Sequence, residues 1–438
     1  MNLTKARSLL LIVGIIFVQG CVVHKKTQPD TIQFINGDPL PDAPELAPRG
    51  EYHVGVRTLD FINKNQIDIL KSKDGVDPLY DRSLKVEIWY PAIMPAGKTE
   101  LTTYEDVLGS PLDSARPVTP FIFSGRALRD AEPDKKSFSF PLVIVSHGYP
   151  GSRVLLTYLT ENLASKGYIV AAIDHTESTH RDQAGFASTL LNRAKDILFV
   201  LNQLADAGKP GSNSFLSGII DANNTALIGY SMGGYGVMNV AGAGYSDKLA
   251  GFFKMMTAGS KAIETLTTNN TEYKATIDPR IKAVIALAPW GMQRGIWDVE
   301  GLKGVKVPLL FVAGSQDDVS GYEDGTKAMY TGTINADRYL LTYINARHNS
   351  APNPPPAITM NGNKFSADYY HYAEPAWDQR RINNINQHFL TAFLGIYLQK
   401  KDYSKYLNLP EKSNDKNWMG FKPRSSVGLE LLHSKPSQ

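Results

Sequence analysis

One hexapeptide constrains this chain more than any other feature. Gly229-Tyr230-Ser231-Met232-Gly233-Gly234 stands directly after the apolar run Ala226-Leu227-Ile228 and before a helix-like run over residues 235–241. A G-x-S-x-G motif between a strand and a helix is a nucleophile elbow. The turn is so tight that side chains two before and two after the serine would collide, hence Gly229 and Gly233. The hydroxyl is lifted clear of the sheet at a helix N-terminus, whose dipole favours negative charge. The competing reading is a purely structural strand-to-helix turn.

The segments around the elbow alternate in kind. Residues 53–59 and 84–90 alternate in polarity, the pattern of antiparallel edge strands with one solvated face. Residues 141–146, 168–173, 225–228, 281–287 and 308–312 are continuous apolar runs, the mark of central strands buried on both faces, and a last strand is expected over 338–344. Helical spacing over 154–166, 190–207 and 377–398 places helices between and after them. The order predicts an α/β protein with an eight-stranded, mostly parallel sheet flanked by helices, the order of an α/β-hydrolase. Two stretches exceed that plan. One lies after the second strand, over 92–138. The other follows the elbow helix, over 242–279, and carries Phe252, Phe253, Met255 and Met256. It is expected as a cap contacting substrate, with ordinary core packing as the alternative.

A serine hydroxyl needs a base within hydrogen-bond reach and an acid to orient that base. In this strand order the acid follows a later strand and the histidine comes last. After residues 308–312 the chain reads Gly314-Ser315-Gln316-Asp317-Asp318, so Asp317 is the expected acid, with Asp318 as rival and Asp298 behind it. Of the downstream histidines, His348 follows the last strand most closely and is the expected base, with His371 second. The oxyanion donors expected are the backbone N–H of Met232 and of Tyr149, the latter in Ser146-His147-Gly148-Tyr149-Pro150. His147 reads as support for that loop. Tyr149, Trp290 and His175 are expected to border substrate. Asp174-His175 through His180 looks metal-like in composition, but the two histidines lack the i, i+4 spacing of a convergent pair. No metal or cofactor is expected, because phosphate-loop and dinucleotide motifs are missing.

The chain has 438 residues, 42% hydrophobic and 20% charged, with a net charge of +3. That balance suits a globular protein and gives no electrostatic case for nucleic acid. The single cysteine, Cys21, follows a basic start at Lys5 and Arg7 and an apolar stretch too short to span a bilayer. Val18-Gln19-Gly20-Cys21 resembles a bacterial lipobox. Residues 1–20 are therefore expected to be a lipoprotein signal peptide and Cys21 the lipid attachment point. An ordinary signal peptide with an incidental cysteine is the alternative. Val22 in place of aspartate favours the outer membrane. Residues 21–50, rich in proline, read as a flexible tether. The hydrolase domain is expected over 51–410, with a C-terminal arm over 411–438 docked by Trp418, Phe421 and residues 429–432. Oligomeric state is open.

The motifs His147-Gly148-Tyr149-Pro150-Gly151, Asp174-His175, the elbow, Ala288-Pro289-Trp290, Gly314-Ser315-Gln316-Asp317 and His348 stand in the order of a known group. They resemble bacterial platelet-activating-factor acetylhydrolase-like and dienelactone-hydrolase-like serine hydrolases. The part from Gly148 to Asp317 is also similar to cutinase-like polyester hydrolases, which share the Tyr and Met donors and the Trp. Dienelactone hydrolases carry a cysteine nucleophile, so Ser231 argues against that substrate. The resemblance implies a serine hydrolase of short-chain or lipid-like carboxylic esters, and the lipobox-like segment adds the expectation that it is tethered to a membrane. Polyester hydrolysis, amide or peptide hydrolysis, and a non-catalytic binding lipoprotein are the alternatives.

Overall fold

The computed structural model describes residues 34–135, 139–275, 277–414 and 417–437. The strands are β1 (His53–Ile67), β2 (Leu79–Ala92), β3 (Thr102–Leu108), β4 (Thr119–Gly125), β5 (Leu128–Arg129), β6 (Phe140–Ser146), β7 (Ile169–Asp174), β8 (Ile220–Tyr230), β9 (Ile281–Leu287), β10 (Leu309–Gly314), β11 (Arg338–Tyr343) and β12 (Leu429–Ser434). Ten of them form one sheet in the order β12-β11-β10-β9-β8-β6-β7-β2-β1-β5, and β3 pairs with β4 apart from it. The six strands from β11 to β7 are mutually parallel. Antiparallel β2 and β12 close the two sides of that block.

Each expected strand is present. The sheet has ten strands rather than eight because it gains the two-residue β5 and β12, the latter formed within the C-terminal arm. Leu429-Glu430-Leu431-Leu432 pairs along the free edge of β11, from Leu340↔Leu432 to Tyr343↔Leu429.

The central strands are apolar along their buried stretches because both faces are covered there, and successive side chains serve opposite layers. Leu142 and Ile144 of β6 face the cluster that holds Leu190, Leu201 and Met238. These come from helices α2 (Phe186–Gly208) and α3 (Met232–Val240), with α4 (Asp247–Met256) behind them. Val143 and Val145 face the other layer, with Leu159 and Leu163 of α1 (Thr157–Ser165) and Phe389 and Phe393 of the C-terminal helix Gln379–Gln399. The registers Ser146↔Gly229 and Tyr230↔Leu287 bring the carboxyl ends of β6, β8 and β9 to one edge, where the elbow emerges.

Two expectations need correction. The tether does not extend to residue 50. Ile35 and Ala47 are buried, and side chains of the hydrolase layer capture this irregular segment's backbone. Leu40 N–H donates to Asn384 Oδ1 (2.8 Å), Gln387 Nε2 to Gly37 O (3.0 Å) and Asn162 Nδ2 to Ala47 O (2.8 Å). Side chains thus satisfy groups that water would satisfy in a free tether. Residues 1–33, with Cys21, the signal peptide and the rest of the tether, lie outside the described residues.

The second correction concerns residues 242–279. Phe253 is fully buried in the core cluster of α2 and α3, so it packs scaffold rather than substrate. Phe252, Met255 and Met256 are exposed. The loop just after α4 is fastened to the β1–β2 turn, where Gly75 N–H donates to Ala258 O and Ser260 Oγ to Asp77. No helix among the described residues is long and apolar enough to cross a membrane.

Candidate active site

The elbow is built by close backbone approach. Ser231 has φ 51° and ψ −111°, a conformation costly for a residue with a Cβ. Its N–H donates to Leu287 O (2.8 Å), and its carbonyl accepts from Tyr235 (3.1 Å) and Trp290 (3.0 Å), so three neighbours hold the strained residue in place. A Cβ on Gly229 would run into the backbone of Gly233 and come within 2.7 Å of Gly234 N. One on Gly233 would fall inside the carbonyl of Ser146, and one on Gly234 would lie 2.7 Å from Pro289 Cα.

The structure brings Ser231, His348 and Asp317 together. His348 Nε2 lies 2.9 Å from Ser231 Oγ, and its Nδ1 lies 3.0 Å from both carboxylate oxygens of Asp317. Asp317 Oδ1 also accepts from the N–H groups of Val319 (2.9 Å) and Ser320 (2.8 Å). The acid is thus buried and oriented by the turn that carries it. With Asp317 accepting at Nδ1, that nitrogen bears the proton, and Nε2 is left to accept from the serine hydroxyl. Asp318 points elsewhere, into an exposed ion pair with Arg347. Asp298 caps a short helix by accepting from Gly301 N–H (2.8 Å). His371 faces His180, Nε2 to Nε2 at 3.3 Å.

Met232 begins α3, so its N–H has no carbonyl one turn behind it. A Cβ on Gly148 would lie 3.5 Å from Ser231 Cβ, so the loop leading to Tyr149 passes directly beside the serine. Tyr149 packs edge-on against Phe186 (5.3 Å), and Phe186 edge-on against Trp290 (5.5 Å). These rings make an aromatic wall, tied to the elbow through the Trp290 N–H bond. On the side of His348 a cavity of about 230 Å³ is lined by Asp318, Val319, Arg347, Asn349, Tyr370 and Glu374 among others.

His175 does not border substrate. It is 1% exposed and bonds to Ser146 and Asp196 inside the protein. Burial is the reason: its ring faces inward from the end of β7 and is pushed down to about 3, chiefly by desolvation. Sequence reasoning missed Phe186, the middle ring of the wall, and the strap on the His348 loop. In that strap the ring of Tyr230 lies 5.4 Å from that of His348, and its hydroxyl donates to Asn349 Oδ1 (3.2 Å). Asn349 Nδ2 in turn donates to Tyr370 O (2.7 Å) and Ala373 O (2.8 Å). Tyr230 stood inside the elbow motif, but its partner is 119 residues away and gives no local signal.

Comparisons with known proteins bear on the fold and on the class of reaction. Residues 131–250 match a family model described as PETase, PET hydrolase-like. That span contains Tyr149, Ser231 and Met232 and ends before Asp317 and His348. The cutinase est1 of Thermobifida alba is 26% identical over 220 residues, 50% of this chain and 56% of that protein. The bis(hydroxyethyl) terephthalate hydrolase of Streptomyces coelicolor is 24% identical over 211 residues, 48% of this chain and 51% of that protein. The chain therefore spans about half the length of these curated relatives. A solved ferulic acid esterase from Streptomyces cinnamoneus superposes with a TM-score of 0.55 at 20% identity, over 90% of this chain and all of that one. The fold is that of an α/β-hydrolase. The chain resembles PET-hydrolase-like proteins and cutinases, the polyester-hydrolase side of the two resemblances read from sequence.

Proposed function

We propose that this protein hydrolyses carboxylic esters through an acyl-enzyme on Ser231. The observation that carries the reading is the unbroken Ser231–His348–Asp317 chain of 2.9 and 3.0 Å bonds, ending on a serine held at positive φ. His348 takes the Ser231 proton as Oγ attacks the ester carbonyl. The N–H groups of Tyr149 and Met232 hold the developing oxyanion, and Asp317 keeps the imidazole in its tautomer. His348 Nε2 then protonates the leaving alcohol. Water enters by the same route and releases the acid.

The leaving oxygen must come within reach of His348, so the alcohol lies towards the polar cavity and the acyl group towards Tyr149, Phe186 and Trp290. Labelling with a fluorophosphonate, followed by a panel of esters of increasing acyl length, tests this reading. Labelling that persists in Ser231→Ala, or a wild type inert to every ester, would overturn it.

Polyester hydrolysis is a second reading, favoured by the aromatic wall, which offers a flat face to an aromatic acyl group, and by the PET-hydrolase-like match. Release of soluble product from a polyester film distinguishes it from hydrolysis confined to small esters. Our reading of location is an exported lipoprotein anchored through Cys21. Mass spectrometry of the mature N-terminus tests that, and an unmodified Cys21 would refute it.

A further inference from the structure

Behind the oxyanion loop lies a buried polar cluster that takes no part in the chemistry above. Ser146, His147, His175, Arg193 and Asp196 are each at most 1% exposed. His175 Nδ1 is 2.9 Å from Asp196 Oδ2, and its Nε2 is 2.9 Å from Ser146 Oγ. The spacing is that of a second serine–histidine–aspartate array, but Ser146 is sealed from any substrate. The array instead fixes where protons sit.

Asp196 accepts two bonds from Arg82, at 2.8 and 2.9 Å. Arg82 and His175 hold its carboxyl down at about 2 against the opposing effect of burial, so it only accepts. His175 therefore carries its proton on Nδ1, and Nε2 accepts from Ser146. The backbone N–H of His175 donates to His147 Nε2 (3.2 Å). An amide N–H can only donate, so Nε2 is the bare nitrogen of His147. Burial and the nearby Arg193 keep that ring neutral. Its one proton is consequently on Nδ1, 2.6 Å from Gly148 O.

That carbonyl and the N–H of Tyr149 belong to one planar trans peptide and point in opposite directions. Tying down one aims the other. Arg193 Nη1 grips His147 O (2.6 Å), so the neighbouring peptide is held as well.

We propose that His147 is a positioning residue for the oxyanion hole: its Nδ1–H bond to Gly148 O aims the Tyr149 N–H over Ser231, the backbone N–H of His175 selects the required tautomer by donating to Nε2, and the Ser146–His175–Asp196–Arg82 array anchors His175 in place. This rests on the ester-hydrolase reading of the site.

The test compares His147→Asn, His147→Gln and His147→Ala in the full chain. The asparagine side-chain amide can donate from the position of Nδ1, whereas that of glutamine reaches the position of Nε2. Ala and Gln should lower kcat on p-nitrophenyl acetate roughly 100-fold, the loss typical of one oxyanion donor. KM should stay within about threefold, and a boronic acid that mimics the tetrahedral intermediate should bind correspondingly more weakly. Asn should recover at least about tenfold of the kcat loss. A merely structural role would give Asn and Gln the same defect, tracking stability. Asn no better than Gln, or an Ala variant within about threefold of wild type, would overturn the proposal. Nitrogen NMR of 15N-histidine wild-type protein decides independently of whether the variants fold. The proposal requires the His147 proton on Nδ1, and an Nε2–H tautomer refutes it. That measurement stands even if the wild type proves inert to esters, so the two failures are distinguishable.

Discussion

Replacing Gly233 with alanine should separate the two halves of the site without touching a reacting group. The new methyl would lie 2.6 Å from Ser146 C and 2.9 Å from His147 O, with Ser146 O nearer still. These are backbone atoms at the end of β6, so no side chain can swing away. Contact with the oxygen reaches a tolerable distance, about 3.0 Å or more, only if the elbow and the β6 end part by roughly 1 Å. The β6 end leads into the oxyanion loop, and the elbow carries Ser231. A misplacement of about 1 Å between reacting groups costs on the order of 100-fold in rate. Gly233→Ala should therefore lose about 100-fold in kcat/KM on p-nitrophenyl acetate. Gly251→Ala is the control. It lies inside α4 on the surface, with nothing within 4 Å of the added methyl. It should leave kcat/KM alone and raise stability by about 0.8–1 kcal/mol. Steady-state kinetics with urea melts measure both. Gly233→Ala within about threefold of wild type would show that the elbow absorbs the methyl, and the spacing argument would fail.

Asp317→Asn should cost several orders of magnitude in kcat, because His348 loses the acceptor that selects its tautomer, while Asp318→Asn breaks only an exposed ion pair; the reverse ranking in steady-state kinetics would reassign the acid. Acid should destabilise the fold. Burial pushes His175, His371 and His388 down to about 3, so folding keeps them neutral, and that stability is full above about pH 6.5 and lost as the pH falls towards 3. Burial also pushes Asp106 up to about 6 and Glu161 up to about 7, which opposes the trend. Burial holds His147 and His180 low as well, so the balance near pH 5 is a net gain of protons on unfolding, and stability falls on acidification. Urea melts at pH 5 and 6 measure that slope; His388→Gln should lower it by roughly one proton, or ~1.4 kcal/mol per pH unit, and an unchanged slope would remove the histidine from the account.

The parts of the fold legible from sequence were those encoded by near neighbours. Runs such as 281–287 are apolar because both faces of a central strand are covered, and they read as strands at once. The helical stripe at Leu191, Ala194, Leu201 and Leu204 was equally plain. The register of β12 on β11 was not legible, since four apolar residues in a tail do not name the edge they will complete. Residues 35–50 misled for the opposite reason. Proline and polar composition describes a chain that makes no regular structure of its own, yet Asn162, Asn384 and Gln387 supply its missing partners.

The same division runs through the site. The elbow glycines, the serine between them, and an acid and a histidine after successive strand ends followed from the sequence alone, because tight turns and strand order are local and directional. Which of two adjacent aspartates meets the imidazole was decided only by tertiary structure: Asp317 turns inward under the N–H groups of Val319 and Ser320, and Asp318 faces Arg347. So was the fate of His175, which stands at a strand end beside the site yet turns inward to Asp196. A side chain's surroundings depend on residues far along the chain, as Ser231 and His348 are 117 positions apart. Sequence specifies which groups are present at which strand ends; only packing decides which way each one points, and with it the burial and hydrogen bonds that set its protons.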